Sequence, residues 1–203
     1  MTEKEKMLSG ALYMAPDAEL SAMNRRARRL TRLFNQTTEN IFDERIALLR
    51  ELLGSAGKNV WVEPTFHCDY GSNIHVGDYF YANYDCIILD ICPVTIGDHV
   101  FFAPRVCIYT ATHPIDATVR NTGLEYGKPV SIGNNVWIGG STVINPGVSI
   151  GDNTVIGSGS VVTKDIPSNV IAAGNPCKVL RPITEEDHAY WREQEKQYRS
   201  GCQ

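Results

Sequence analysis

Of the five histidines in this 203-residue sequence, at positions 67, 75, 99, 113 and 188, one sits in a setting suggestive of chemistry. His113 lies in TATHPID, beside Pro114 and near the hydroxyls of Thr110 and Thr112. An imidazole so placed can take a proton from an alcohol about to become a nucleophile. It can equally be a loop histidine whose ring nitrogens bind backbone groups, and the residues alone leave both readings open. Lys164, Lys178 and Arg181 form a basic cluster toward the C-terminus, suited to a phosphate-bearing tail or to ordinary surface charge. The six cysteines (68, 86, 92, 107, 177, 202) form no C-x-x-C pair, which speaks against a zinc knuckle. A metal-dependent hydrase would need three histidine ligands, two of them close in sequence, and no such set is present.

The elements that must hold these groups differ along the chain. Residues 1–58 are charged and helical in pattern. Leu20, Met23, Ala27, Leu30 and Phe34 follow 3/4 spacing opposite an arginine-rich face, and Ile41, Ile46, Leu49 and Leu53 predict a second helix that stops at Gly54 or Gly57. Residues 59–180 turn to Val and Ile with Gly, Asn, Asp and Pro, and residues 181–203 predict a polar helix with Thr184 as N-cap and Asp187 three residues on. In IGNNVWIGGSTVINPGVSIGDNTVIG, isoleucine returns at 132, 138, 144, 150 and 156. Six residues on a helix rotate by about 600°, scattering these side chains over several directions. Six is a multiple of two, so on extended chain they share one face, yet a straight strand of this length would span roughly 85 Å. Each hexad carries residues that accept tight corners, such as Gly133-Asn134-Asn135 and Asn145-Pro146-Gly147.

A β-solenoid of stacked short strands follows, with its isoleucines as an apolar ladder. Ile96, Phe102 and Ile108 keep the phase, whereas Val76, Ala82 and Ile88 are shifted, which implies a two-residue insertion near Cys92-Pro93, and Val62 and Cys68 mark a weaker first coil. The stretch from about 109 to 131 keeps the phase but loses the ladder, so it is expected as a loop thrown out of the solenoid. Trp137 alternates out of phase with the inward isoleucines and is expected to point outward, toward a neighbouring subunit or a ligand.

The net charge of −4 argues against nucleic acid as the main partner. No apolar run suits a membrane span and MTEKEKMLSG lacks the apolar stretch of a signal peptide, so a cytoplasmic protein with free thiols is expected.

The hexads, the insert TATHPID and the tail AGNPCKVLR resemble the hexapeptide acyltransferases, and EKEKMLSGALYMAPDAEL narrows the likeness to the maltose/galactoside O-acetyltransferase group. The resemblance covers the chain to about Arg181. It implies a mainly β fold, a left-handed parallel β-helix with three hexads per turn, an N-terminal helical segment and a short C-terminal helix. It further implies a homotrimer with active sites between subunits, acetyl-CoA as donor, no metal, and a sugar hydroxyl, the 6-OH of a sugar such as maltose or glucose, as acceptor; a galactoside, a xenobiotic or an oligosaccharide as acceptor, or a noncatalytic assembly role, are the alternatives.

On this likeness His113 is the general base, and Asn83, in FYANYDC, touches the acceptor hydroxyl and steadies the transition state. Asp17, Asp69, Tyr81, Asp90 and Glu125 are expected at the sugar, since carboxylates accept charge-assisted hydrogen bonds from its hydroxyls. The Gly140 amide would meet the thioester carbonyl, and Ser158, Thr163, Lys164, Lys178 and Arg181, with the outward Trp137, would line the CoA. The stretch CDYG, the lone Asp90 before Ile91, and THPID with GKPV resemble maltose-type members more than galactoside-type ones.

Overall fold

A computed structural model describes residues 1–201; Cys202, counted above among the free thiols, lies outside the described residues. Ile132, Ile138, Ile144, Ile150 and Ile156 are each at most 3% exposed. Val136, Thr142, Val148 and Thr154, two residues before four of them, are buried as well. Each hexad is therefore a short strand with two inward side chains flanking an outward one, followed by a corner. Burying one such isoleucine is worth about 1.5–3 kcal/mol, and the column repeats it coil after coil.

Strands pair in parallel with the coil above and below: Ser131 with Ser149, Trp137 with Val155, and Val143 with Val161, each 18 residues on. Three flat faces result. The first carries Ile74–Val76, Val94–Ile96 and Val130–Ile132, the second Tyr81–Ala82, Phe101–Phe102 and Trp137–Ile138, the third Cys86–Leu89, Cys107–Tyr109 and Val143–Ile144. Inside the prism the Phe80 and Phe102 rings meet edge to face at 5.1 Å.

The corners explain the Gly-Asp and Gly-Asn pairs of the hexads. The Asp152 carboxylate accepts the Asn134 N–H of the preceding coil at 2.5 Å, and Oδ1 lies 2.2 Å from where a Cβ on Gly133 would stand. Only glycine leaves room for the next coil's acid. Beyond each such pair the chain turns through a left-handed residue, Asn135 and Asn153 among them.

The corner from the third face to the first is wider in the early coils. There Trp61 pairs with Tyr81 and Tyr81 with Phe101, a repeat of 20 residues, which accommodates the insertion expected near Cys92-Pro93. The loop leaves the stack at this same corner. Ile96 pairs with Ile132 and Ile108 with Ile144, a step of 36, so the chain spends a whole coil's length outside. That length forms an antiparallel hairpin of Ala111–Thr112 and Leu124–Gly127, and Tyr13–Met14 adds to its other edge.

Helix α1 (Glu3–Leu8) packs on α2 (Ala18–Asn35) and the hairpin, and α2 and α3 (Phe42–Leu52) cover the first coil. Leu20, Ala27, Leu30 and Phe34 of α2 are buried as their spacing predicts, with Met23 partly so. The face expected for α3 is corrected in part. Ile41 precedes the helix and is exposed, while Arg45 is buried, paired with Glu63 at 3.6 Å and set over the Trp61 ring. Side chains also cap the open edge of the sheets, where Asn35 brackets the Phe66 backbone with two 2.9 Å bonds and Arg50 donates to the Ala56 and Gly57 carbonyls.

The solenoid starts at Ser55–Ala56, inside the segment expected to be helical, because this strand pairs with His75–Val76. At the other end Lys178–Pro182 folds back antiparallel on Val170–Ala173 and so crosses the boundary expected at 180/181. The loop holds one helical turn, α4 (Ala117–Arg120), whereas the C-terminal helix α5 (Glu185–Gly201), expected to be short, runs 17 residues with none buried. It starts on the reciprocal Thr184–Asp187 pair that its sequence predicts. No helix among the described residues is long and apolar enough to cross a membrane.

Candidate active site

Asp90 organises the widened corner. Its Oδ1 accepts the N–H of Asp69 at 3.0 Å and of Tyr70 at 2.9 Å, and its Oδ2 that of Asn73 at 3.2 Å. Burial pushes its carboxyl up to about 6, although those N–H groups favour the charged form. It has no exposed surface. Asp90, expected at the sugar, has its oxygens used by the corner's backbone in the single chain, and there it positions Asp69 and Tyr70.

Above that corner, between α2 and the loop, opens a cavity of about 480 Å³. Its walls include Tyr13, Asn24, Arg25, Arg28, Asp69 and Glu125, with Tyr70, Leu20 and Ile91 of a second small apolar cluster beneath. The Tyr13 hydroxyl donates to Glu125 Oε2 at 3.0 Å, and Asn24 Nδ2 donates to the Asp69 carbonyl at 2.9 Å, tying α2 to the corner. Burial raises the Asp69 carboxyl, the nearby Glu125 adds to the rise, and Arg28 opposes it. Burial likewise pushes the Tyr70 phenol up to about 12, with Asp69 contributing. Asp17 is the N-cap of α2, its Oδ1 accepting from Glu19 and Leu20, and Pro16 rather than Asp17 lines the cavity.

His113 follows the last hairpin pair, Thr112 with Tyr126, so the next residue along the facing strand is Glu125. The imidazole is exposed and has no hydrogen-bond partner among the described residues.

The other expected residues lie on different parts of the prism. Tyr81, Asn83, Phe101, Ala103 and Trp137 line a hollow of about 370 Å³ where the second face turns into the third. Trp137 is 54% exposed and does point outward. Asn83 Oδ1 accepts the Tyr84 N–H at 2.8 Å, and no partner is found for its Nδ2 among the described residues.

Gly140 stands on the same edge, with room for a Cβ no closer than 3.2 Å to the Pro104 carbonyl. The amides on either side of it are bonded, Gly139 to Ile156 and Ser141 to Pro104, while that of Gly140 has no acceptor among the described residues. An unpaired amide on an accessible edge is the group a developing oxyanion needs.

Ser158 is one coil further along this edge, where the Gly159 N–H bonds the Gly140 carbonyl. Thr163, Lys164 and Lys178 are exposed near the end of the stack, and neither lysine forms an ion pair among the described residues. Their uncommitted charge fits the phosphates of a CoA. Arg181 instead holds Asp187 with two bonds, at 2.5 and 2.9 Å, so a phosphate would have to displace that carboxylate. No group of three His, Cys, Asp or Glu among the described residues could hold a metal.

One chain thus carries the expected residues on different edges: Asp69, Glu125 and His113 on one, Tyr81, Asn83, Trp137 and Gly140 on the other. Sequence reasoning missed Tyr13, Asn24, Arg25 and Arg28. The only signal for them was the arginine-rich face of α2, which reads as solvated surface until the hairpin is seen to lean over it.

A parallel solenoid of six-residue rungs with a helical cap defines a hexapeptide-repeat transferase. Residues 129–164 match the family described as Bacterial transferase hexapeptide (six repeats), and residues 6–57 match the Maltose acetyltransferase hexapeptide capping motif. A maltose O-acetyltransferase structure from Clostridium difficile 630 is 60% identical, with a TM-score of 0.90 over 91% of this chain and 98% of that one. A galactoside acetyltransferase solved in complex with coenzyme A is 46% identical, with a TM-score of 0.90 over 93% and 94% of the two chains. The galactoside O-acetyltransferase of Escherichia coli K12 is 45% identical over 94% of both chains. The chain belongs to the maltose/galactoside O-acetyltransferase group of the hexapeptide-repeat acyltransferases, enzymes whose donor is acetyl-CoA.

Proposed function

We propose that this enzyme acetylates the primary 6-hydroxyl of a glucose-type sugar such as maltose, with His113 as general base. The observation that carries the reading is the 480 Å³ cavity, whose wall sets Asp69 and Glu125 beside the hairpin that ends at His113. The two carboxylates accept hydrogen bonds from sugar hydroxyls and orient the ring. His113 takes the proton of the reacting hydroxyl while its oxygen attacks the thioester carbonyl. The Gly140 amide and Asn83 Nδ2 meet the oxyanion, and the CoA sulfur departs as the carbonyl re-forms, taking the proton from His113. A positioned base of this kind contributes about 10²–10⁴ in rate.

The division of these groups between two edges of one prism supports a homotrimer. Contacts around a three-fold axis are head-to-tail, so one edge of a subunit meets a different edge of the next. Such packing joins His113 of one copy to Asn83 and Gly140 of another and covers Phe101 and Trp137, which are 48% and 54% exposed in the single chain.

The test is an acceptor panel with acetyl-CoA, read by released thiol and followed by the mass and linkage position of the product. Acetyl transfer to maltose at the 6-OH is expected. Turnover confined to non-sugar acceptors, or acetyl on a secondary hydroxyl, refutes the assignment.

A further inference from the structure

Alongside the acceptor cavity lies a second one, of about 420 Å³, that nothing above uses. Arg28 lines both, Asp69 borders the first, and the adjacent Cys68 borders the second, so the two are neighbours that share Arg28. The second cavity is lined by Arg28 and Arg32 of α2, by Gln36 just beyond it and by His67.

The arginines of α2 fall into two sets. Arg26 and Arg29 are committed to Glu51, through its carbonyl and its carboxylate respectively. Arg25, Arg28 and Arg32, spaced by three and four on one face, have neither an ion pair nor a hydrogen bond among the described residues. Like charges at that spacing repel and weaken a helix; Asp69 and Glu125 share the first cavity with Arg25 and Arg28, whereas no acid shares the second with Arg32. The three heads mark a path of about 10 Å along the helix, from the acceptor cavity into the second. In a protein of net charge −4, this is a local exception.

Around the second cavity Thr65 is bonded to Asp85 and Asn35 to the Phe66 backbone, whereas Arg28, Arg32, Gln36 and His67 have no protein partner among the described residues. No acidic side chain lines it. Burial pushes the Cys68 thiol at its border well above its ordinary range, which makes it an inert wall rather than a nucleophile.

We propose that this second cavity is an oxyanion subsite for the acceptor, holding a carboxylate or phosphate carried on the sugar unit next to the one acetylated. The arrangement favours an acidic oligosaccharide over a neutral one, since guanidinium groups bind such oxyanions through paired hydrogen bonds. The proposal rests on the reading of the first cavity as the acceptor site, and its test separates the two.

Three acceptors of equal length serve: maltose, a disaccharide whose second unit is a hexuronate, and maltose with a phosphate on its second unit. In the wild type, kcat/KM for an anionic acceptor should exceed that for maltose by about tenfold or more at low salt, with the advantage shrinking as ionic strength rises. Arg32→Ala should bring the ratio close to one, and Arg32→Lys should restore part of it. Preference for the hexuronate alone, or for the phosphate alone, identifies the oxyanion.

Equilibrium binding of the same sugars without acetyl-CoA is the second arm. A ratio near one in the wild type, or an anion preference that Arg32→Ala leaves intact, overturns the subsite. If no sugar is acetylated but the anionic ones still bind in an Arg32-dependent way, the acceptor reading falls and the anion site stands.

Discussion

Replacing His113 by alanine separates chemistry from structure cleanly in this fold. The imidazole is exposed, and no hydrogen bond to it exists among the described residues, so truncation removes neither buried area nor an internal bond. Surface changes of that kind move stability by at most about 0.5 kcal/mol. The expected loss in kcat is about 10²–10⁴, equivalent to about 2.7–5.4 kcal/mol of barrier. CoA affinity should hold, because the residues assigned to the donor lie on another edge and toward the end of the stack. The assay follows thiol released from acetyl-CoA with maltose present, corrected for hydrolysis, beside a CoA titration and a melting curve. Added imidazole should return part of the lost rate, since the vacated position is open to solvent. A variant within about threefold of wild-type kcat removes His113 from the mechanism, given what a positioned base contributes. A fall in rate matched by a fall in melting temperature would mean that the ring is structural.

Neutral substitutions at Lys164 and Lys178 should weaken CoA binding while barely affecting a truncated thioester without the nucleotide phosphates; equal losses for both donors refute the phosphate role. Asp90 gives a pH signature. Its folded-state value of about 6 stands above the ordinary 3.8, so between those values the folded protein holds a proton that the unfolded chain has released. Wild-type stability should therefore fall as pH rises through that window, by up to about 3 kcal/mol relative to Asp90→Asn. Denaturant unfolding of both proteins from pH 4 to 7 checks the slope, and a flat difference sinks the account. A Cβ on Gly139 would stand 2.5 Å from the Ser158 amide nitrogen, against 3.2 Å for the nearest neighbour of one on Gly140. Gly139→Ala should consequently cost about 1–3 kcal/mol of stability, and Gly140→Ala less, by the same measurement.

The hexad columns were legible because a period of six on extended chain leaves the apolar side chains one shared direction, and Ile132 to Ile156 follow it without exception. The loop was legible for the converse reason, since the ladder fails between Ile108 and Ile132 while the count modulo six survives. The role of Asp90 was not. An acid looks the same in one dimension whether it faces a ligand or three backbone amides, and only the stacking of coils brings Asp69, Tyr70 and Asn73 around it. The burial of Arg45 was hidden in a similar way, because it depends on Glu63 and Trp61 from the solenoid. The division of the expected site between two edges was equally hidden, since periodicity assigns residues to an inside and an outside but not to a particular edge.

The hairpin bearing His113 takes up one full turn of the winding, and the strands on either side close up as though nothing had left. Its length is thus decoupled from the alignment of everything beneath it. Residues can be gained or lost between Thr112 and Leu124 without displacing a single interior side chain. Changes in what the enzyme accepts can accumulate there while the supporting shaft keeps its form.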